Sequence, residues 1–266
     1  MLDQYNRHIN YLRVSVTDRC NLRCSYCMPE NDPCLLSHED ILSFEEIREV
    51  VATAVSMGID KVRLTGGEPL VRKDIIDLVK MISGVTGVRD LSMTTNATLL
   101  SHFADPLAEA GLHRINISLD TMDPVKFREL TRGGDIRKVF AGIRAAKKAG
   151  LSPIKVNCVL AENEESRDAM DLKNYCRDNG LEIRFIKQMD LKSGHFSVVE
   201  GGSGGDCRSC NRLRLTSDGK IKPCLFSDIA YDIRVDGTRE ALEKALGNKP
   251  EKGTVSYRNC FHSIGG

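Results

Sequence analysis

The sequence has no apolar run long enough to cross a bilayer and almost no net charge. A transmembrane helix needs about 20 apolar residues in succession, and no stretch of the 266 residues approaches that length. The first five residues lack the basic and apolar parts of a signal peptide. The net charge is +1, so there is no global basic field to gather nucleic acid. These absences predict a cytoplasmic protein with neither a membrane nor a nucleic-acid partner. Any anionic ligand would have to be bound by a local cluster of basic side chains.

Cysteine, by contrast, is abundant. Among the ten cysteines are two tight groups, while Cys34, Cys158, Cys176 and Cys260 are scattered. The first group is Cys20, Cys24 and Cys27, and the second is Cys207, Cys210 and Cys224. In a reducing compartment, clustered thiols hold metal more often than they form disulfides. The sequence therefore predicts two metal centres.

Short apolar strands alternate with helical patterns from residue 11 to about residue 188. The helices carry start and stop signals, such as a capping box at Ser43 and Glu46 and end signals at Gly111, Gly150 and Gly180. Repeated βα units imply parallel strands with right-handed crossovers, and hence an α/β fold. The candidate strands are 11–17, 61–65, 90–95, 114–118, 153–159 and 182–187.

Side chains alternate between the two faces of a strand, so parity divides them into two sets. One face is apolar and can pack on the helices, with Cys158 as a core thiol on that side. A packed small barrel fills its interior with branched apolar residues. The other face here is polar and basic, which predicts an open, partial (β/α)6 barrel whose lumen binds a polar ligand. That face carries Arg13, Lys61, Arg63, Thr94, Arg114, Ser118, Lys155, Asn157 and Arg184.

The pattern breaks after Met189 and Asp190. The glycine-rich stretch from Glu200 to Asp206 is typical of a flexible linker. Beyond it lies a short cysteine-bearing region whose one clear helix is predicted at 238–246. We therefore predict a partial barrel over residues 1–195 and a small auxiliary-cluster region over residues 196–266.

The first cysteine group has the spacing C-x3-C-x2-C and directly follows the first strand. A 4Fe–4S cube usually takes four thiolates. Three from one loop leave one iron open for a cofactor or substrate. The carboxyl end of a barrel strand is also where such folds place their active sites. A structural zinc site completed by a distant ligand is the alternative.

This loop resembles that of the radical SAM superfamily, whose members bind S-adenosylmethionine (SAM) at the open iron. The turn after the second strand, from Gly66 to Pro69, resembles the GGEP motif of the same superfamily, which binds the SAM amino group. The two glycines permit close backbone approach, and Glu68 is expected to help orient the polar end of SAM.

The second cysteine group has the spacing C-x2-C-x13-C, with a hairpin turn at Asp218 and Gly219 between its members. By spacing alone, a zinc hairpin and an iron–sulfur site are almost equally plausible. Three thiolates with no evident fourth ligand favour a second 4Fe–4S cluster.

The stretches 12–20 and 207–226, together with the terminal Ile264-Gly265-Gly266, resemble the GTP 3′,8-cyclase family of molybdenum-cofactor biosynthesis. The resemblance implies a lyase with two 4Fe–4S clusters and SAM. In the reaction of that family, a 5′-deoxyadenosyl radical removes the C3′ hydrogen of GTP, and the substrate radical attacks guanine C8. It also implies a reductant protein such as a flavodoxin or ferredoxin, and a downstream cyclic pyranopterin synthase. A homodimer is a further expectation.

The same resemblance implies roles for individual residues. Tyr26, Gly67, Glu68, Ser118 and Met189 are assigned to SAM. Arg13, Lys61, Arg63, Thr94, Lys155, Arg184, Arg212 and Arg214 are assigned to GTP, and Arg212, Arg214, Gly265 and Gly266 to the catalytic site.

The chain departs from the family in being much shorter between Met189 and Cys207 and after Cys224. The reaction of a divergent enzyme on another nucleotide is therefore an alternative. A radical SAM peptide maturase and a non-enzymatic electron-transfer or regulatory iron–sulfur protein are two more. The inner cations with Arg212 and Arg214 argue against the maturase, and the SAM motif with the polar lumen argues against the electron carrier.

Overall fold

The structure is a computed structural model that describes residues 1–28, 35–160, 166–202 and 204–264. Cys34, Gly265 and Gly266 lie outside these residues. Six strands belong to the predicted barrel: β1 (Tyr11–Ser15), β2 (Lys61–Thr65), β3 (Asp90–Thr95), β4 (Arg114–Ser118), β5 (Ile154–Leu160) and β6 (Glu182–Lys187). Three more follow: β7 (Arg212–Leu215), β8 (Lys220–Lys222) and β9 (Tyr231–Asp232).

The described strands form one open sheet in the order β6-β5-β4-β3-β2-β1-β7-β8-β9. Strands β1 to β7 pair in parallel, and β8 and β9 are antiparallel additions. The six predicted strands are confirmed to within two residues at each end. The α/β fold with an open, partial barrel is confirmed.

Helices follow most of the strands, and all but the last of them contribute buried residues to the core on the apolar face of the sheet. They are α1 (Phe44–Ser56), α2 (Ile75–Ser83), α3 (Leu100–Glu109), α4 (Pro124–Thr131), α5 (Ile136–Lys148), α6 (Arg167–Asp178), α7 (Ile233–Asp236), α8 (Thr238–Gly247) and α9 (Phe261–Ile264). The predicted capping box starts α1, where the Glu46 N–H donates to Ser43 Oγ at 3.1 Å and the Ser43 N–H donates to the Glu46 carboxylate at 2.7 Å. No helix of the described residues is long and apolar enough to span a membrane.

Strand register confirms the predicted two faces. Val14, Val62 and Leu64 are fully buried in the core. On the opposite face Arg13 lies beside Arg63 on β2 and beside Arg214 on β7. The sheet therefore places cations of three neighbouring strands in one row across the lumen.

The C-terminal region continues the barrel sheet. Because β7 pairs with β1, its apolar Leu213 and Leu215 are fully buried in the same core as the barrel strands. The division of the chain between residues 195 and 196 stays a prediction.

The segment that follows β6 contains turns and no helix in its described residues, 188–202 and 204–211. The interpretation of residues 200–206 as a flexible linker was wrong for the described residues of that stretch, because they pack closely against neighbouring segments. Glu200 and Phe185 exchange two backbone hydrogen bonds of 3.1 and 3.2 Å. A Cβ on Gly201 would lie 2.7 Å from the carbonyl oxygen of Ile183, and one on Gly205 would lie 1.9 Å from that of Ser197. These glycines allow close backbone approach rather than flexibility, which composition alone cannot distinguish.

Candidate active site

The carboxyl ends of β1 and β2 build the first cysteine site. The loop after β2 packs on the segment that leads to Cys20: the Gly67 N–H donates to the carbonyl oxygen of Thr17 at 2.8 Å. A Cβ on Gly66 would lie 2.4 Å from that same oxygen, and a Cβ on Gly67 would lie 2.2 Å from the carbonyl oxygen of Arg19. Both positions therefore require glycine. The Gly-Gly pair forms a backbone cradle that positions the cysteine loop.

Glu68 holds two strand ends together. Its carboxylate accepts hydrogen bonds from the Leu70 N–H at 3.0 Å, the Thr95 hydroxyl at 2.7 Å and the Asn96 N–H at 2.7 Å. The residue is 1% exposed, and burial raises the pKa of its carboxyl to about 7 although the three donors act against the rise. Glu68 is not among the described residues that line the adjacent pocket. Its predicted contact with SAM stays a prediction, while its observed contacts fix the pocket walls.

Cys20, Cys24 and Cys27 line one pocket of about 190 Å³ at this end of the sheet. Burial raises the pKa of Cys20 to about 11. For Cys24, burial and then the neighbouring Cys27, Asp120 and Cys20 raise the pKa to about 12. The three thiols thus lie within electrostatic reach of one another, with no cation among the principal influences on Cys24.

The donor set fits an iron–sulfur cluster bound through three thiolates. Among the described residues, no three His, Cys, Asp or Glu side chains converge closely enough to hold a single ion. A 4Fe–4S cube needs no such convergence, because each thiolate binds a different iron atom.

Four of the five residues assigned to SAM line this pocket: Tyr26, Gly67, Ser118 and Met189. The Tyr26 hydroxyl donates to the Asp120 carboxylate at 2.7 Å, which fixes the ring at the rim. Thr94, assigned to GTP, also lines this pocket. Its Oγ1 is buried with no hydrogen-bond partner in the described part of the chain. An orphaned hydroxyl beside three thiols and a glycine cradle fits a polar ligand such as SAM.

A second cavity of about 300 Å³ opens toward the amino ends of the strands. Its described acidic lining residues are Asp90 and Asp206. The Asp90 carboxylate is engaged by Arg114, with Nε–Oδ1 at 2.7 Å and a second, shorter contact through Nη2. Positive charge therefore dominates the cavity. The cations that line it are Arg13, Lys61, Arg63, Arg114, Arg184, Arg212 and Arg214.

Burial, and after it crowding among the cations, lowers the pKa values of Arg13, Arg63, Arg184 and Arg214. Burial and then the neighbouring Arg214 hold the pKa of Arg13 well below its ordinary value. Burial and then Arg212 lower the pKa of Arg214 to about 10. The pKa of Arg63 is also lowered, first by burial. Guanidiniums packed against like charges gain most from a polyanionic ligand, which they can bind through bidentate hydrogen bonds.

Lys155 is placed differently from the other predicted GTP residues. Its ammonium forms an ion pair with Glu182 on the neighbouring strand. It is not among the described residues that line the arginine-rich cavity. Parity correctly predicts its face, but the paired carboxylate is visible only once the β5–β6 register is known.

Tyr11 is a cavity residue that the sequence analysis did not select. Its ring lies 5.4 Å from the guanidinium carbon of Arg63 and 5.8 Å from that of Arg212. The residue is 7% exposed, and its hydroxyl has no hydrogen-bond partner among the described residues. The signal was present, because residue 11 has the same strand parity as Arg13. The ring spaces two cations apart by cation–π contacts.

The second cysteine group lines the same cavity as the arginines. Burial acts to raise the pKa of Cys210, but the ammonium of Lys249 and the backbone N–H of Arg212 outweigh it and lower that pKa. Burial raises the pKa of Cys224, and Lys249 opposes the rise. Three thiols in a cationic pocket fit a second cluster bound through thiolates.

The two cysteine groups lie at opposite ends of the lumen. The first follows the carboxyl end of β1, whereas Cys207 and Cys210 precede the amino end of β7, which runs parallel to β1. The five residues of strand β1 that lie between these two ends of the lumen span about 17 Å at a rise of 3.3 Å per residue. Asn157, Ile186 and Met189 line both pockets, so the space between the two sites is continuous.

The scattered cysteines that the structure describes lie outside both groups. Cys158 is fully buried on the apolar face, which confirms it as a core thiol, and Cys176 is buried in α6. Cys260 is exposed. Its proximity to Cys27 contributes, after burial and Cys20, to raising the pKa of that thiol.

Two families match this chain. The Radical SAM superfamily matches residues 14–176, and the family described as Molybdenum Cofactor Synthesis C matches residues 125–254. Together they span both cysteine groups.

Curated relatives of similar sequence cover almost the whole chain. The GTP 3′,8-cyclase of Alkaliphilus oremlandii is 40% identical over 301 residues, which is 95% of this chain and 94% of the relative. That of Peptoclostridium acidaminophilum is 40% identical over 320 residues, which is all of this chain and 98% of the relative. The second alignment is 54 positions longer than the 266-residue chain, so this chain is internally shorter than that relative.

Solved structures share the fold at low sequence identity. Streptococcus suis SuiB bound to the precursor peptide SuiA has a TM-score of 0.71 at 15% identity, covering 92% of this chain and 66% of SuiB. Methylornithine synthase (PylB) has a TM-score of 0.60 at 18% identity, covering 95% of this chain and 77% of PylB. These similarities concern the fold alone.

Proposed function

This chain belongs to the GTP 3′,8-cyclase family of radical SAM enzymes, and on that premise we propose that it converts GTP to 3′,8-cyclo-7,8-dihydro-GTP. The reaction is a step of molybdenum-cofactor biosynthesis. Its cofactors are two 4Fe–4S clusters and SAM.

Cys20, Cys24 and Cys27 would hold the first cluster, and Cys207, Cys210 and Cys224 the second. When bound, the first cluster and SAM would supply the 5′-deoxyadenosyl radical that takes the C3′ hydrogen of GTP. C3′ would then bond to guanine C8, and one further electron and a proton would reduce the resulting nucleotide radical to the product. The chain contributes the cradle of Gly66 and Gly67, and a lumen that orients the two reacting molecules.

The arginine-rich cavity between the two cysteine groups carries the substrate assignment. A nucleoside triphosphate has about four negative charges, and the described lining has seven cations against two carboxylates. One of those carboxylates, Asp90, is already engaged by Arg114. The excess of positive charge supports a triphosphate held by Arg13, Lys61, Arg63 and Arg184.

The base of GTP is proposed to lie at the second cysteine group. Arg212 and Arg214 come from the strand that directly follows Cys210, and both line the cavity with Cys224. Thr94 would reach the substrate from the SAM side, where its hydroxyl is orphaned. The Gly265-Gly266 tail is proposed to complete the catalytic site. The tail follows α9, whose first residue Phe261 lines the SAM pocket.

A low-potential electron must reach the first cluster from outside the chain. We propose a reductant protein such as a flavodoxin or ferredoxin as the donor, and a cyclic pyranopterin synthase as the consumer of the product. A homodimer is also proposed.

The test is anaerobic incubation of the reconstituted holoenzyme with dithionite, SAM and GTP. We expect 5′-deoxyadenosine and a cyclised nucleotide in equal amounts. A matched control is Cys176→Ala, which removes a buried thiol far from both groups, on α6, and should change neither product. Cleavage of SAM without consumption of GTP would contradict GTP as the substrate, but it would still support radical SAM chemistry.

A further inference from the structure

Lys249 is buried beside the second cysteine group. It follows α8 and is 2% exposed. Its ammonium donates to the carbonyl oxygen of Arg212 at 2.8 Å and to that of Pro223 at 2.6 Å. The thiol of Cys210 lies within interaction distance of the same ammonium.

The three partners suit a charged side chain. A neutral amine has two N–H donors, whereas an ammonium has three and no acceptor. Two carbonyl oxygens and the thiolate that a cluster requires at Cys210 would use all three donors of an ammonium, so the site fits a buried cation once Cys210 is deprotonated. An uncompensated buried charge is strongly destabilising, and the nearby compensating groups are the Cys210 and Cys224 thiolates that a cluster would require.

The hydrogen bonds of Lys249 connect two separate stretches of the site. Arg212 lies two residues after Cys210, and Pro223 immediately precedes Cys224. One ammonium therefore ties both cysteine-bearing segments together.

The lysine is itself held in place. The guanidinium of Arg7 donates to the carbonyl oxygen of Pro250 at 2.7 Å, to that of Glu251 at 2.9 Å and to that of Cys207 at 2.8 Å. Arg7 thus joins the segment after Lys249 to Cys207, the remaining cysteine of the second group. The Asp3 carboxylate accepts from Arg7 Nε at 2.6 Å and fixes that guanidinium.

We infer that Lys249 is a positioning residue for the second cluster, which it holds through the Cys210 and Cys224 segments and makes easier to reduce through its fixed positive charge. This inference deepens the proposed function and rests on its second cluster. Adding an electron makes a cluster more negative, and a desolvated cation close by stabilises the more negative state. Neighbouring charge and hydrogen bonds are among the factors that set cluster potentials.

The experiment is a redox titration of the holoenzyme followed by electron paramagnetic resonance, with Lys249→Met and Lys249→Gln compared with the wild type. Methionine fills the space without charge or donor, and glutamine keeps a donor without charge. At a fixed potential we expect the reduced-to-oxidised ratio of the second cluster to fall at least tenfold in both variants, which is about 59 mV for a one-electron couple. The first cluster should titrate as in the wild type.

Lys252→Met is the matched control, because it removes an exposed charge from the same segment and should leave the titration unchanged. A purely structural role predicts that Lys249→Gln restores the wild-type ratio. That result, or an unchanged ratio in Lys249→Met, overturns the inference.

Iron content decides the case in which a variant does not retain the second cluster. Loss of about four irons, with the first cluster retained, supports the positioning role. Loss of both clusters overturns it, because Lys249 would then serve the whole fold. If the wild-type protein itself lacks the second cluster, the proposed function is contradicted. The iron content of the wild type shows this before any variant is made.

Discussion

The two cysteine groups differ in the charges that surround them. At the first, the pKa of Cys24 is raised by burial and by its neighbours Cys27, Asp120 and Cys20. At the second, Lys249 and the backbone of Arg212 bring the pKa of Cys210 below its ordinary value against the effect of burial. Because the buried Lys249 lies beside the second group and no cation is among the principal influences on Cys24, we expect the cluster that cleaves SAM to be the harder one to reduce and the cluster beside the substrate to be the easier one.

The largest expected effect separates the two sites by function. Cys24→Ala and Cys224→Ala should each lose about four of about eight irons. Cys24→Ala should lower 5′-deoxyadenosine formation by more than about 1,000-fold, because SAM loses its site of reductive cleavage. Cys224→Ala should still cleave SAM but make no cyclised nucleotide, as measured by chromatography of both products. Equal loss of 5′-deoxyadenosine and of cyclised nucleotide in the two variants would contradict the assignment of different functions to the two sites.

The next effect concerns the space between the clusters. Arg13→Met should weaken GTP binding about 10- to 100-fold, since a hydrogen bond to a charged group contributes about 1.5–3 kcal/mol. Lys155→Met is the matched comparison, because its cation is on the same face but paired with Glu182, and it should change affinity less than about threefold. Calorimetry with SAM present measures both. Similar losses in the two variants would restore Lys155 as a GTP residue.

A pH effect of about 2 kcal/mol is expected at the first site. The pKa of Glu68 is raised by burial from 4.5 to about 7, so the folded state binds more protons than the unfolded state between those values. The associated stability is present below pH 4.5 and is lost as the pH rises through 7. From pH 5.5 to pH 8 the free energy of unfolding should fall by about 2 kcal/mol more in the wild type than in Glu68→Gln.

Urea unfolding of the apoprotein at the two pH values measures this difference. Glu109→Gln replaces an exposed glutamate on α3 and is the control. The same pH dependence in the wild type and Glu68→Gln would assign the effect to other groups.

The smallest effect tests the cation–π contacts at the second site. Tyr11→Leu removes the ring between Arg63 and Arg212 and should weaken GTP binding about 5- to 30-fold, since the two contacts contribute about 0.5–1 kcal/mol each. Tyr11→Phe keeps the ring and should bind GTP within about twofold of the wild type. A Tyr11→Phe loss as large as that of Tyr11→Leu would instead show that the orphaned hydroxyl contacts the ligand.

The features that the sequence could predict, the strand faces and the cysteine groups, depend on local periodicity and spacing. The parity of β1, β2 and β6 was sufficient to place Arg13, Arg63 and Arg184 on the inner face, and all three line the cavity. Cysteine spacing and strand order predicted both groups. These features depend only on residues a few positions apart.

What the sequence could not predict depends on pairing between distant segments. The Glu182 partner of Lys155 requires the strand register. Lys249 is 39 residues beyond Cys210 in the chain, and no motif marks it as a neighbour of that thiol. Glu68 was expected to face SAM, whereas its three buried donors come from the 3₁₀ turn after β2 and from the end of β3.

The packed turn after β6 has a consequence for protein engineering. Its Gly202, Gly204 and Gly205 line the arginine-rich cavity with backbone, and Gly201 and Gly205 have no room for a Cβ. In a saturation library these two positions should tolerate as few substitutions as the metal ligands do, although they contribute no side chain to chemistry. A graft from a longer relative would succeed only as a replacement of the entire turn, since an insertion within it would displace Arg184 from the wall that it shares with Gly201.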